Sequence, residues 1–206
     1  MLSEITTPLN GAIIMKTIGL LGGMSWESTL SYYKAINEGV RQQLGGLSSA
    51  KIILNSVDFA EIETRQHAGD WPATAQILMQ AAQAVERAGA DFLLICINTM
   101  HKVEPQISGS IAIPVVHIAD ATALRLREDG ITRVRLLGTR FTMEEDFYTS
   151  RLTEKFDLQV VTPDQEARNQ VHQIIYNELC QGIVREKFRQ IYQQSLTLCK
   201  RKDARL

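Results

Sequence analysis

Short, nearly continuous apolar runs recur along the chain, separated by longer stretches whose apolar residues return every three or four positions. The runs predict strands at Thr17–Gly22, Lys51–Ser56, Asp91–Ile97, Ile113–His117, Arg133–Gly138 and Leu158–Thr162. The longer stretches predict helices at Ser25–Leu44, Trp71–Ala88, Ala119–Arg127, Met143–Lys155, Gln165–Cys180 and Arg185–Cys199. In the second of these, Ile77, Leu78, Ala81, Ala84 and Val85 keep the helical period. Ser25 can cap the first helix and Gly45-Gly46 can end it. Strands and helices in alternation predict an α/β fold, a mainly parallel sheet with helices on its faces.

One pattern occurs twice. Ile18-Gly19-Leu20-Leu21-Gly22-Gly23 resembles Val134-Arg135-Leu136-Leu137-Gly138-Thr139, each a strand ending in a glycine turn that enters a helix. A chance match in an α/β chain is one reading. The other is two similar Rossmann-like lobes, 15–112 and 113–206, joined around Ala112–Pro114. Residues 1–14 precede the first such strand and read as a flexible lead or a mis-called start ahead of Met15 or, failing that, a short packed arm.

Composition narrows the classes. The chain has 206 residues, 45% hydrophobic and 22% charged, with net charge −1. That balance gives no electrostatic reason to expect nucleic acid or an anionic membrane surface. No apolar run approaches the roughly 20 residues of a membrane span. Three cysteines (Cys96, Cys180, Cys199), without an export signal, suggest reduced thiols in a cytoplasm. Neither they nor the scattered His67, His101, His117 and His172 have metal-binding spacing, so no metal is expected.

The chemistry concentrates in Asp91–Lys102. An apolar strand run empties into Cys96-Ile97-Asn98-Thr99, and open parallel sheets bind ligands at the carboxyl ends of their strands. Asn98 and Thr99 must find partners there, either a bound carboxylate or a turn that they close. Cys96 reads as a packed structural thiol or a reactive one. His101 and Lys102 read as solvated residues opening a helix. Gly22-Gly23-Met24-Ser25 is a tight strand-to-helix turn or an anion cradle. It is not the G-x-G-x-x-G dinucleotide fingerprint, so no nicotinamide cofactor is expected. Glu144, Glu145 and Asp146 read as an exposed helix start.

In combination these segments resemble the aspartate/glutamate racemase family, closest to its bacterial broad-specificity amino-acid racemase branch. The resemblance rests on Ile18–Thr29, Asn55-Ser56-Val57-Asp58-Phe59, Asn98-Thr99-Met100-His101-Lys102 and Leu136-Leu137-Gly138-Thr139, in order from about Met15 to about Leu196. It implies two pseudo-symmetric α/β lobes with an amino acid in the cleft between them, a homodimer, and racemisation at Cα without pyridoxal phosphate or any other cofactor. One group removes the α-proton and a second, on the opposite face, returns one. By position, the resemblance makes Met24, Gln66, Asn98, Thr99, Thr139 and Thr142 the substrate-binding residues.

Two departures accompany it. The residue directly before Asn98-Thr99 is the first acid/base position, Cys in most of the family and Thr in some, and here it is Ile97, which is inert. Cys96 is the possible surrogate, but strand alternation points it the other way unless a bulge intervenes. The second-lobe strand ending in Gly-Cys-Thr-Glu is expected after Cys199, where the sequence instead reads Lys200–Leu206. The expectation is therefore an impaired racemase whose second lobe lacks its last strand. The alternative is a non-catalytic amino-acid-binding or dimerisation remnant of one.

Overall fold

The computed structural model describes residues 6–9 and 12–193. The chain divides into two compact units, Met1–Val116 and His117–Leu206.

The first unit is built on a parallel sheet. Its central strand, β3 (Thr17–Gly22), pairs on one side with β4 (Lys51–Ser56) and on the other with β5 (Phe92–Ile95), in the order β4-β3-β5. Beyond β5 the chain at 113–116 adds only a bridge, Leu93 to Val115, closed by the Leu93 N–H on Pro114 O and the Val116 N–H on Leu93 O. A full strand was expected at Ile113–His117. Pro114 has no N–H for a ladder, which limits pairing there. The same bridge ties 113–116 to the first unit, so the division falls after Val116 and not after residue 112.

Alternation along the strands builds two cores. Ile18, Leu20, Phe92 and Cys96 face α1 (Trp26–Leu44), meeting Tyr32 and Ile36 at helical spacing. Leu21, Leu93 and Ile95 face the other way, against Ile62 of α2 (Phe59–His67) and Leu78, Ala81, Ala82 and Val85 of α3 (Trp71–Arg87). Cover on both faces explains why β3 and β5 read as nearly unbroken apolar runs, whereas β4 is half-exposed and keeps Lys51, Asn55 and Ser56. After β5 come a 3-10 turn, Thr99–Val103, and the short α4 (Glu104–Gly109).

Before this sheet, where the sequence suggested a flexible lead over 1–14, β1 (Thr6–Leu9) and β2 (Ala12–Met15) pair antiparallel, Thr6 opposite Met15. The sequence carries Asn-Gly between these two runs, a dipeptide that favours hairpins in general.

In the second unit, α5 (Ile118–Glu128) leads to β6 (Arg133–Arg135), then α6 (Arg140–Glu144), α7 (Asp146–Phe156), β7 (Gln159–Val161) and α8 (Gln165–Asn177). β6 and β7 form a parallel pair. Ala119, Ala123, Tyr148, Leu152 and Leu158 make its core. The single helix expected at Met143–Lys155 is two helices, because Glu145 takes an extended conformation (φ −98°, ψ 152°). The 144–146 acids thus sit at a helix junction, and Glu144 pairs with Arg168 at 2.8 Å. The helix expected at Gln165–Cys180 ends at Asn177 and passes into a 3-10 turn, Leu179–Gln181. A further helical stretch covers 186–193; the rest of the helix expected to Cys199, with Cys199 itself, lies outside the described residues. Among the described residues no helix is long and apolar enough to cross a membrane.

Candidate functional site

The strand ends of the first unit are level. Leu21 stands opposite both Asn55 and Ile95, so the loops after β3, β4 and β5 leave the sheet at one edge. There the β3 loop crosses the β4 loop at van der Waals range. Gly23 has φ +91°, and a Cβ on it would come within 2.1 Å of Val57 O. Only glycine meets both conditions. The Val57 N–H donates to Gly22 O at 3.0 Å, and the Gly23 N–H donates to Thr29 Oγ1 at 3.0 Å. Met24 then turns down into the core with Leu21, Ile62 and Met100. Ser25 does not cap α1, contrary to expectation; its hydroxyl donates instead to the Glu27 carboxylate at 3.0 Å.

The β5 end is fixed from both sides. The Cys96 N–H donates to Leu21 O at 2.9 Å, and the Ser28 hydroxyl donates to Cys96 O at 2.7 Å. The Cys96 side chain continues the alternation of Phe92 and is 1% exposed, in the apolar cluster under α1. Burial pushes its thiol up to about 12. At neutral pH that leaves roughly one thiol in 10⁵ ionised, too few for a working base. Ile97 falls on the opposite side, packed against the cluster that holds Met24 and Met100. Leaving the strand after Ile95 has therefore not brought Cys96 round beside Ile97.

Asn98 enters the 3-10 turn in a right-handed helical conformation (φ −68°, ψ −47°), and Thr99 behind it is buried. His101 corrects the reading of a solvated residue. It is 2% exposed, and its Nδ1 lies 2.9 Å from Ile97 O and 3.3 Å from Asn98 O. Lys102 is also engaged, with Nζ 4.0 Å from the centre of the Trp71 ring. A cation over an indole face at that range is attractive.

Gln66 reaches the same side from α2. Asp58 caps that helix by accepting from the Ala60 N–H at 3.1 Å, and the helix buries Ile62 and, one turn on, Gln66. Met24, Ile97, Asn98, Thr99 and Gln66 thus belong to one unit, with Met24 and Ile97 packed on the face of the sheet away from Cys96. The sequence reading placed His101 in solvent and gave no role of their own to Ser28 or to Asp58 as a cap. The four-residue spacing from Ile97 to His101 was the one available signal, meaningful only once a helical turn follows the strand.

In the second unit, Thr139 and Thr142 meet each other. Thr139 caps α6, its Oγ1 accepting from the Thr142 N–H at 3.3 Å and lying 3.1 Å from Thr142 Oγ1. Both are buried. The adjacent Arg140 N–H donates to His172 Nδ1 at 3.2 Å, and the His172 ring lies against Tyr176 (4.8 Å between centroids). At the other end of α6, Glu144 accepts from Arg168 and Gln165 of α8.

Comparison with known proteins agrees with this architecture. The family model for Asp/Glu/hydantoin racemases matches residues 21–205. A candidate Asp/Glu racemase from Yersinia pestis, of known crystal structure, is 52% identical. The match covers 91% of this chain and 82% of that one, with a TM-score of 0.82. An aspartate racemase homologue from Pyrococcus horikoshii OT3 is 38% identical over 82% of this chain and 74% of that one, at TM-score 0.71. The aspartate racemase of Picrophilus torridus, 20% identical over 77% of this chain and 68% of that one, shares the fold at TM-score 0.61.

Proposed function

Because the chain belongs to the Asp/Glu/hydantoin racemase family, we propose that it takes an amino acid at the strand-end loops of its first unit and exchanges the α-proton slowly. In this reading Asn98 and Thr99 hold the substrate carboxylate or amine, Met24 and Gln66 line the pocket, and Thr139 and Thr142 contribute from the second unit. The substrate is aspartate, glutamate or a broader set, and the protein works as a cytoplasmic homodimer without pyridoxal phosphate.

Racemisation asks a base to take the proton from Cα while the electron pair spreads into the carboxylate, and an acid on the far face to return a proton. Donors around that carboxylate stabilise the developing charge. What supports the slow rate is Ile97: an alkyl side chain stands where the family has Cys or Thr, directly before Asn98. A missing acid/base group typically lowers the rate 10²–10⁴-fold. Cys96 offers no substitute, since its thiol is buried on the other face and held protonated. The same observation favours the second reading, an amino-acid binder without turnover.

Exchange of the α-proton in D₂O, followed by proton NMR with both enantiomers of aspartate and glutamate and with neutral amino acids, separates the readings. Slow exchange that rises about 10²-fold or more in Ile97→Thr supports the impaired racemase. Binding without exchange in either protein supports the binder. A wild-type rate that Ile97→Thr leaves unchanged would remove Ile97 as the limiting feature.

A further inference from the structure

The Asn98-Thr99 turn is held by a group that the proposed reaction does not itself use. His101 Nδ1 faces two carbonyl oxygens, Ile97 O at 2.9 Å and Asn98 O at 3.3 Å. Carbonyls only accept, so Nδ1 carries the proton and donates to both. The His101 backbone N–H adds a third bond, to Asn98 O at 3.1 Å. The carbonyl of residue 97 shares a rigid plane with the nitrogen of 98, and that of 98 shares one with the nitrogen of Thr99. Pinning both carbonyls fixes two consecutive peptide planes, and with them the φ and ψ of Asn98. The 3-10 turn offers only i→i+3 bonds of poorer geometry, so the bonds from the ring add to what holds it. The ring cannot swing away, because it is 2% exposed in a turn whose Met100 and Val103 are also buried.

Resting on the amino-acid reading above, we propose that His101 is the positioning residue of the first unit: its donated Nδ1–H sets the strand end so that Asn98 and Thr99 present their polar groups to the substrate. It touches no substrate atom. Its effect is orientation, and displacing a binding group by about 1 Å can lower efficiency roughly 10²-fold.

The test separates positioning from packing. In His101→Asn a side-chain N–H can stand near the place of Nδ1, while the ring's packing is lost. In His101→Phe the ring's volume stays and the donor is gone. Affinity for L-aspartate and L-glutamate by calorimetry is read beside thermal stability. The expected result is a crossover: His101→Asn binds within a few-fold of wild type though less stable, whereas His101→Phe binds about 10–100-fold more weakly. Affinity that follows stability, with Phe the better binder, overturns the proposal, as do two variants that bind like wild type. Should His101→Phe not fold, His101→Leu, branched at Cγ like Asn but lacking a donor, takes its place with the same expectation. If the wild-type chain binds no amino acid, the amino-acid reading itself has failed and this role falls with it. A silent wild type and an insensitive variant are thus distinguishable.

Discussion

The two strand–glycine–helix turns look alike in sequence and are held in place by different forces. In each, a glycine at the turn abuts a threonine of the following helix: a Cβ on Gly22 would come within 2.5 Å of Thr29 Cγ2, and one on Gly138 within 3.1 Å of Thr142 Cβ. The first turn leaves a strand paired on both sides, whose last five residues are all buried. It feeds a 19-residue helix and crosses the β4 loop at backbone contact. The second leaves a three-residue strand that, among the described residues, has a partner on one side, and enters a five-residue helix. What holds it is polar: the Thr139 cap, His172 on the Arg140 N–H, and Arg168 on Glu144. Apolar burial and steric fit, added to the hydrogen bonds of Gly22, Gly23 and Val57, secure the first; a set of individually modest hydrogen bonds secures the second.

The sharpest way to break this comparison is Gly23→Ala. A side chain at φ +91° is strained, and its Cβ would strike Val57 O at 2.1 Å and Val57 N at 2.6 Å, backbone atoms that cannot rotate aside. Denaturant unfolding should show a loss of about 3 kcal/mol or more. Gly138→Ala, whose Cβ meets only a threonine side chain, should lose much less. Equal losses would mean that the two turns are secured in the same way.

Next in size is the ion-pair cluster that joins α5 to α7 in the second unit. Asp120 accepts from Arg151 at 2.5 and 2.9 Å and from Lys155 at 2.7 Å. Burial pulls its carboxyl pKa upward, but the hydrogen bonds and charges of Arg151 and Lys155 outweigh that and bring it down to about 2. A lowered folded-state pKa contributes stability above the unfolded value of 3.8, lost as pH falls through about 2. Asp120→Asn should therefore cost about 2 kcal/mol at neutral pH. The gap from wild type should stay constant down to about pH 4 and then close toward pH 2. A gap that persists at pH 2 would assign the effect to packing instead of charge.

The same contrast explains what was legible in the sequence. Thr17–Gly22 could be read to the residue because a strand covered on both faces must be apolar throughout, and Lys51–Ser56, itself half-exposed, because its Ile52-Ile53-Leu54 run is bounded by polar residues. In the second unit β6 and β7 are three residues each, and half-exposed strands leave a fainter pattern. The break at Glu145 left no mark, since glutamate favours helix and only the extended backbone there interrupts it. At the candidate site, the residue types at 97–99 were visible, but the side to which each points depends on where the strand lets go. Cys96 and Ile97 part company on that geometry. His101 was misread for the same reason: an imidazole after a polar pair looks solvated until the turn folds it back under Ile97.

The smallest effect is the most direct test of the polar account of the second turn. Thr139 has an extended backbone (φ −64°, ψ 161°), the usual conformation of a capping residue, with Oγ1 on the Thr142 N–H. Thr139→Ala removes that acceptor and the neighbour of Thr142 Oγ1, and should lower stability by about 1 kcal/mol. Thr139→Ser keeps the hydroxyl and drops only a methyl, so most of the loss should return. In a turn fixed by apolar contact the order would differ, because there the methyl counts and the hydroxyl does not. Measured by denaturant midpoint, serine near wild type and alanine well below it support the polar account. Alanine and serine falling together would place the second turn with the first.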